Sequence, residues 1–222
     1  MRAAVIVFPG SNCDRDMAMA LGAAGADVTM VWHKDATLPD GIDLVAIPGG
    51  FSFGDYLRCG AIAAQSSVCK AIIDHAKRGG YVLGVCNGFQ ILTETGLLPG
   101  ALMRNAGLRF ICKTLALNVV ATDTPFAARY GAGPIDLPIA HHDGNYFVTP
   151  DQHAALVDGN QIAFRYVENP NGSVDDIAGV LSENRRILGM MPHPERAVSD
   201  QLGNTDGQAL FRGLVENMLQ SA

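Results

Sequence analysis

The sequence predicts an α/β protein with a mostly parallel central sheet flanked by helices. Strand-like and helix-like segments alternate through the first half of the chain. Each strand-like segment is an almost continuous apolar run, the pattern of strands covered on both faces. The 222 residues, 48% hydrophobic and 17% charged, suffice for one well-cored domain.

Residues 3–8 (AAVIVF) form an apolar run that Pro9-Gly10 stops. Arg2 ahead of it gives a passing likeness to a secretion signal. The run is short and lacks a small-x-small cleavage site, so a first core strand is expected. Asn12 is placed to cap a helix over 13–24, which Gly25 ends. DVTMVW (27–32) and DLVAIP (43–48) read as the next strands. Residues 59–80 show helical apolar spacing and close on Lys-Arg-Gly-Gly, a C-terminal signal. YVLGV (81–85) is then a strand and 88–98 a helix. Residues 107–123 read as one or two longer strands, antiparallel additions to the sheet, and 125–130 (PFAARY) as a short helix. Further strands are expected near 135–140, 161–167, 176–181 and 186–191, with a turn at 168–176 (ENPNGSVDD). A helix over 206–219 closes the chain. No repeat, low-complexity segment or linker interrupts it, so a single domain over 1–222 is expected.

Charge and cysteine usage exclude several classes. The formal net charge is −6 and the isoelectric point about 5.4, without a Lys/Arg run. Nucleic acid is therefore not expected as a partner, because binding its phosphates needs concentrated positive charge. A phosphorylated small molecule, for which one or two arginines suffice, stays open. No apolar run reaches the length of a membrane span. The five cysteines (Cys13, Cys59, Cys69, Cys86, Cys112) are odd in number and never spaced Cys-x-x-Cys. Neither a disulfide framework nor a zinc knuckle fits, and a reduced, cytoplasmic compartment is expected.

One cysteine stands apart. Gly84-Val85-Cys86-Asn87-Gly88, at the end of a strand and the start of a helix, is the thiol form of the nucleophile elbow. Side chains at either glycine would collide with neighbouring backbone. The sulfur is left beside a helix N-terminus, where partial positive charge favours the thiolate. The Asn87 N–H would point at an oxyanion formed on attack. An inert structural cysteine in a tight turn has the same pattern, so partners decide. A working thiol needs a base, and the base needs an orienting group. Of six histidines, His33 follows a strand, His75 lies on a helix, His141 and His142 follow an apolar run, and His153 sits in a polar stretch. His193 follows the last strand in Pro192-His193-Pro194-Glu195, which sets an imidazole and a carboxylate at a strand's carboxyl end. A second loop, PGGFSFGDYLRCG (48–60), offers the N–H of Gly50 or Phe51 as a further oxyanion donor. It is not a nucleotide P-loop, and FPGSNCDRD (8–16) is not a dinucleotide fingerprint.

These residues together resemble the class I (triad) glutamine amidotransferases. FPGSNCDRD, PGGFSFGDYLRCGA, GVCNGFQIL, NPNGS and GMMPHPER, in that order, are similar to the branch serving de novo purine biosynthesis. The resemblance implies a flavodoxin-like amidotransferase fold and a glutaminase that hydrolyses L-glutamine to glutamate and ammonia. It implies Cys86 as nucleophile, His193 as base and Glu195 as its orienting group, with backbone donors at Gly50, Phe51 and Asn87. It implies two partners, an ATP-dependent synthetase subunit that takes the ammonia and a small accessory subunit. ATP and magnesium belong on the synthetase, and no cofactor or metal is expected on this chain. Where the family has His-Gly-Glu-Gly, this sequence has His141-His142-Asp143-Gly144. Two other readings share part of the pattern: the glutaminase of a different synthetase, and a DJ-1/PfpI-like cysteine-elbow hydrolase. The latter lacks the Pro-His-Pro-Glu.

Overall fold

Nine strands form one sheet in the computed structural model, which describes residues 1–220. The strands are β1 (Arg2–Val7), β2 (Asp27–Trp32), β3 (Leu44–Ile47), β4 (Tyr81–Val85), β5 (Ala101–Met103), β6 (Ile111–Val119), β7 (Ile135–His141), β8 (Asn145–Phe147), β9 (Ile162–Tyr166), β10 (Ile177–Leu181) and β11 (Ile187–Met190). The helices are α1 (Asp14–Ala23), α2 (Ala61–Ala64), α3 (Ser67–Lys77), α4 (Asn87–Glu94), α5 (Pro150–Asp158) and α6 (Gln208–Gln220). The order across the main sheet is β2-β1-β3-β4-β11-β10-β9-β6-β7, and β5 pairs with β8 separately.

From β2 to β11 all neighbours are parallel; from β11 outward they are antiparallel. The two halves follow from their sequences. LVAI of β3 and ILGM of β11 are buried at every position, as strands covered on both faces must be. In β7 (IDLPIAH) every second residue is buried, as for a strand with one face on the core. Pro138 in its middle is tolerated because β7 lies at the sheet edge.

The parallel half positions the site. Because β1, β3, β4 and β11 run the same way, the segments following them, at 8–13, 48–60, 86 and 191–195, emerge at one edge. In open α/β sheets that carboxyl edge is where ligands bind.

Several expectations needed correction. The helix expected over 59–80 is two, α2 and α3, broken at Gln65 and Ser66, with Gly60 at φ 81° before the first. The helix expected over 88–98 is α4, which stops at Glu94. The helix expected at 125–130 is a series of turns, with Ala127 and Ala128 N–H both bonded to the Thr124 carbonyl. The Ala127 and Tyr130 N–H groups each reach back three residues, to Thr124 O and Ala127 O, so no continuous α-helical ladder forms. The segment 107–123, expected as one or two strands, holds one, β6, antiparallel to both neighbours as expected. The α1 cap position is Cys13, not Asn12. Among the described residues no helix is long and apolar enough to cross a membrane, and all five cysteines are free.

Candidate active site

β4 delivers the chain to Cys86 and α4 starts at the next residue. Cys86 lies at φ 51°, ψ −106°, a conformation that costs a non-glycine residue about 1–3 kcal/mol. The two flanking glycines make the bend possible. A Cβ on Gly88 would stand 2.0 Å from the Ile47 carbonyl oxygen, and one on Gly84 2.7 Å from that of Gly88. The elbow is pinned by the Cys86 N–H donating to Met190 O at 2.8 Å and by Gln90 N–H donating to Cys86 O at 3.2 Å. Cys86 is 5% exposed, and its thiol donates to the Ala140 carbonyl at 3.7 Å.

His193 arrives from β11. Its N–H donates to Pro138 O at 2.8 Å, and the following residues Pro194–Arg196 form a single 3₁₀ turn. That turn brings Glu195 back onto the ring: Nδ1 lies 2.6 Å from Glu195 Oε1. Both residues are buried, and His193 Nε2 and Glu195 Oε2 have no hydrogen-bond partner among the described residues. Burial alone would lower the affinity of this imidazole for a proton. The Glu195 charge and then the Cys86 sulfur outweigh it, so the His193 pKa stands well above its ordinary value. Gly49 admits the ring, since a Cβ there would stand 2.6 Å from His193 Cε1 and 3.4 Å from Cys86 Cβ. Arg196 ties the turn to α1 through Asp16 at 3.2 Å.

The structure thus brings Cys86, His193 and Glu195 to one place. The proposed oxyanion donors divide. No group among the described residues takes the N–H of Gly50, or that of Asn87 at the first position of α4. Gly50, at φ 145°, packs so closely on the first loop that a Cβ would stand 2.5 Å from Gly10 O. The expectation for Phe51 is corrected: its N–H donates to the Gly10 carbonyl at 2.9 Å, so it is not free to hold an oxyanion.

A buried polar chain fixes the surrounding loops. Ser52 N–H donates to Asn87 Oδ1 at 3.1 Å, Asn87 Nδ2 to Gln90 Oε1 at 2.8 Å, and Gln90 Nε2 to Asp143 O at 2.7 Å. The divergent His141-His142-Asp143-Gly144 segment is held by Asn105. Its Oδ1 meets His141 Nδ1 and accepts the Gly144 N–H, both at 3.0 Å. Burial first, and the His193 charge next, push the His141 pKa down to about 4. His142, partly exposed, pairs with Asp143 at 3.3 Å.

Two neighbours were not expected as site residues. Cys13, buried at the end of the first loop, turns its sulfur toward the His193 ring. Tyr166, at the end of β9, is fully buried, and its phenol is pushed up by burial and further by Cys86. For Cys13 a signal existed, because it follows the first parallel strand at the same edge as Cys86. Tyr166 reaches the site through antiparallel pairing, which local pattern does not encode. His75 is elsewhere, on α3, bonded to Tyr81 O at 3.2 Å. A broad groove lined by Asp43, Asp74, Arg78 and Tyr81 opens at the amino-terminal edge and contains none of the site residues.

An elbow thiol, a buried imidazole–carboxylate pair and free backbone donors define a thiol-dependent acyl-transfer site. The chain belongs to the CobB/CobQ-like glutamine amidotransferase family, whose model matches residues 1–210. Its relatives narrow this. It is 66% identical over 215 residues, 96% of this chain and 97% of the relative, to phosphoribosylformylglycinamidine synthase subunit PurQ of Ruegeria sp. (strain TM1040). It is 64% identical to the PurQ subunit of Cereibacter sphaeroides, covering 98% of this chain and 99% of that one. Among solved structures, PurLQS from Thermotoga maritima contains a chain 44% identical, with a TM-score of 0.90 and 98% of both chains covered. A glutamine amidotransferase from the same organism, 15% identical with a TM-score of 0.66 over 99% of this chain and 98% of that one, shares the fold.

Proposed function

We propose that this chain is the glutaminase subunit of phosphoribosylformylglycinamidine synthase, acting through Cys86, His193 and Glu195. The observation that carries the mechanism is the buried His193–Glu195 pair, 2.6 Å apart, beside the strained elbow of Cys86. Cys86 attacks the side-chain carboxamide carbon of L-glutamine. The N–H groups of Gly50 and Asn87 hold the tetrahedral oxyanion. His193 takes the Cys86 thiol proton and delivers it to the leaving ammonia, and Glu195 orients the ring and stabilises its charged form. Water activated by His193 then hydrolyses the glutamyl thioester and releases glutamate. Ammonia passes to the synthetase subunit, which carries ATP and magnesium and converts formylglycinamide ribonucleotide to the amidine; a small accessory subunit completes the assembly. Residues 1–222 are read as one amidotransferase domain, working in the cytoplasm without a cofactor or metal of its own.

A glutaminase running freely would waste glutamine, so activity is expected to depend on docking. The test is glutamate release by the chain alone and in the complete complex with ATP and formylglycinamide ribonucleotide, beside Cys86→Ala. Low release alone, a strong rise in the complex and none from the variant support the reading. Release by a folded, docked Cys86→Ala at the wild-type rate contradicts it.

A further inference from the structure

Cys13 is buried beside the reacting residues, and the reaction above gives it no part. Its sulfur, a ring nitrogen of His193 and a carboxylate oxygen of Glu195 all lie within 4.8 Å of one another, and all three residues are buried. Two polar atoms of that cluster, His193 Nε2 and Glu195 Oε2, have no hydrogen-bond partner among the described residues. The sulfur is oriented, because its thiol donates to Oδ1 of the exposed Asn12 at 3.4 Å, which leaves the lone pairs for the buried side. The backbone beneath it is tied to both neighbouring segments. Cys13 N–H donates to Gly49 O of the second loop at 3.3 Å, and Cys13 O accepts the Met17 N–H of α1 at 3.0 Å. From the turn that carries Glu195, Arg196 Nε reaches Asp16 of α1 at 3.2 Å.

A thiol sulfur is a weak hydrogen-bond acceptor. Beside a buried imidazole it favours the charged ring, the form with an N–H on both nitrogens. We propose that Cys13 is a positioning residue, whose sulfur steadies the His193 ring and favours the protonated form that gives its proton to ammonia. Cys13 acts on His193 in the same sense as Glu195 and Cys86, each of them raising its affinity for a proton. The charged and titratable groups around the ring are Glu195 and Arg196 on its own turn, Cys86 on the elbow, His141 on β7, and Cys13 and Asp16 on the α1 side. Arg196 is paired with Asp16, and His141, with its pKa pushed down to about 4, carries no charge near neutral pH. Neither cancels what the sulfur contributes. The role in turnover rests on the function proposed above, whereas the effect on the ring does not.

The first arm of the test needs no glutamine. The full-length chain, carrying Cys86→Ala so that the elbow sulfur no longer contributes, is labelled with ¹³C at histidine Cε1. The His193 resonance, identified by its loss in His193→Ala, is followed with pH. Adding Cys13→Ala removes an acceptor of the charged ring and should lower the midpoint by on the order of one pH unit. Adding Cys13→Ser instead keeps a lone pair at the same place and should restore most of that shift. The second arm is the pH profile of kcat/KM for glutamate release by the assembled complex with Cys86 intact. Its alkaline limb, where His193 loses the proton that ammonia needs, should move to lower pH in Cys13→Ala and return in Cys13→Ser, with thermal melts confirming folding. A Cys13 that merely fills space would lower the melting temperature of Cys13→Ala and leave both midpoints in place, which overturns the proposal. A shift as large in Cys13→Ser as in Cys13→Ala overturns it too. A wild-type complex silent toward glutamine would sink the glutaminase reading, and the resonance would still decide for or against Cys13.

Discussion

Replacing Gly49 with alanine perturbs the site without touching any reacting atom. The added methyl would stand 2.6 Å from His193 Cε1, whereas carbon atoms in contact settle at about 3.5–4.0 Å. The ring must retreat by about 1 Å. It cannot retreat freely, because Nδ1 is tied to Glu195 at 2.6 Å and the backbone N–H to Pro138 O at 2.8 Å. Gly49 is not among the left-handed glycines, so alanine adds crowding rather than backbone strain. Crowding a packed site costs about 1–3 kcal/mol, which a folded protein survives. Displacing a catalytic base by 1 Å costs about a hundredfold in rate, equivalent to about 2.7 kcal/mol of barrier. The assay is steady-state glutamate release in the assembled complex, with thermal melts to check folding. The expected outcome is a large fall in kcat with a small change in KM. A folded Gly49→Ala within about threefold of wild-type kcat would refute the placement of His193 as the base.

Cys86→Ala and Cys86→Gly should both abolish turnover and both lose the buried sulfur, with the glycine variant the more stable by about 1 kcal/mol, the relief of backbone strain at φ 51° less the entropy glycine adds to the unfolded chain; chemical denaturation ranking the alanine variant as the more stable would count against stored strain. His193→Ala should lower glutamate release by about 10²–10⁴-fold, whereas His75→Ala, removing a buried ring bonded to Tyr81 O, should lower the melting temperature and leave kcat alone; equal activity losses would dissolve the triad. His141, with a folded pKa of about 4 against 6.5 when unfolded, is neutral in the native state while the unfolded chain takes up a proton. Its stabilising contribution is whole above pH 6.5 and lost as pH falls toward 4, amounting to about 2 kcal/mol between pH 6.5 and 5. Urea denaturation across that range should show a shallower pH slope for His141→Asn than for wild type, and an identical slope would contradict the assignment.

What the sequence revealed follows from where information is local. The continuous apolar runs of β1, β3, β4 and β11 carry their burial in four to six consecutive residues, so the parallel half was legible, and with it the edge where Cys86 and His193 meet. The elbow was legible because only glycine fits at 84 and 88. Helix α5 went unseen because it buries only Leu156 and shows no apolar stripe, although its Thr149/Gln152 capping box stood in the sequence. β5 and β8, three residues each, are too short to show alternation. Phe51 was misread because a glycine-rich loop reveals which amides are available but not which carbonyls claim them. The Gly10 carbonyl that occupies Phe51 lies 41 positions earlier in the chain.

The claim on which the rest depends is that Cys86 carries the glutamyl group. Its most direct test is to mix the assembled complex with glutamine, quench in acid within a turnover, digest, and weigh the peptide spanning the elbow. One γ-glutamyl adduct on the Cys86 peptide, absent in Cys86→Ala and removed by mild base, is the predicted result. Rapid glutamate release with that peptide unmodified at every quench time, or an adduct on Cys13 instead, would contradict it.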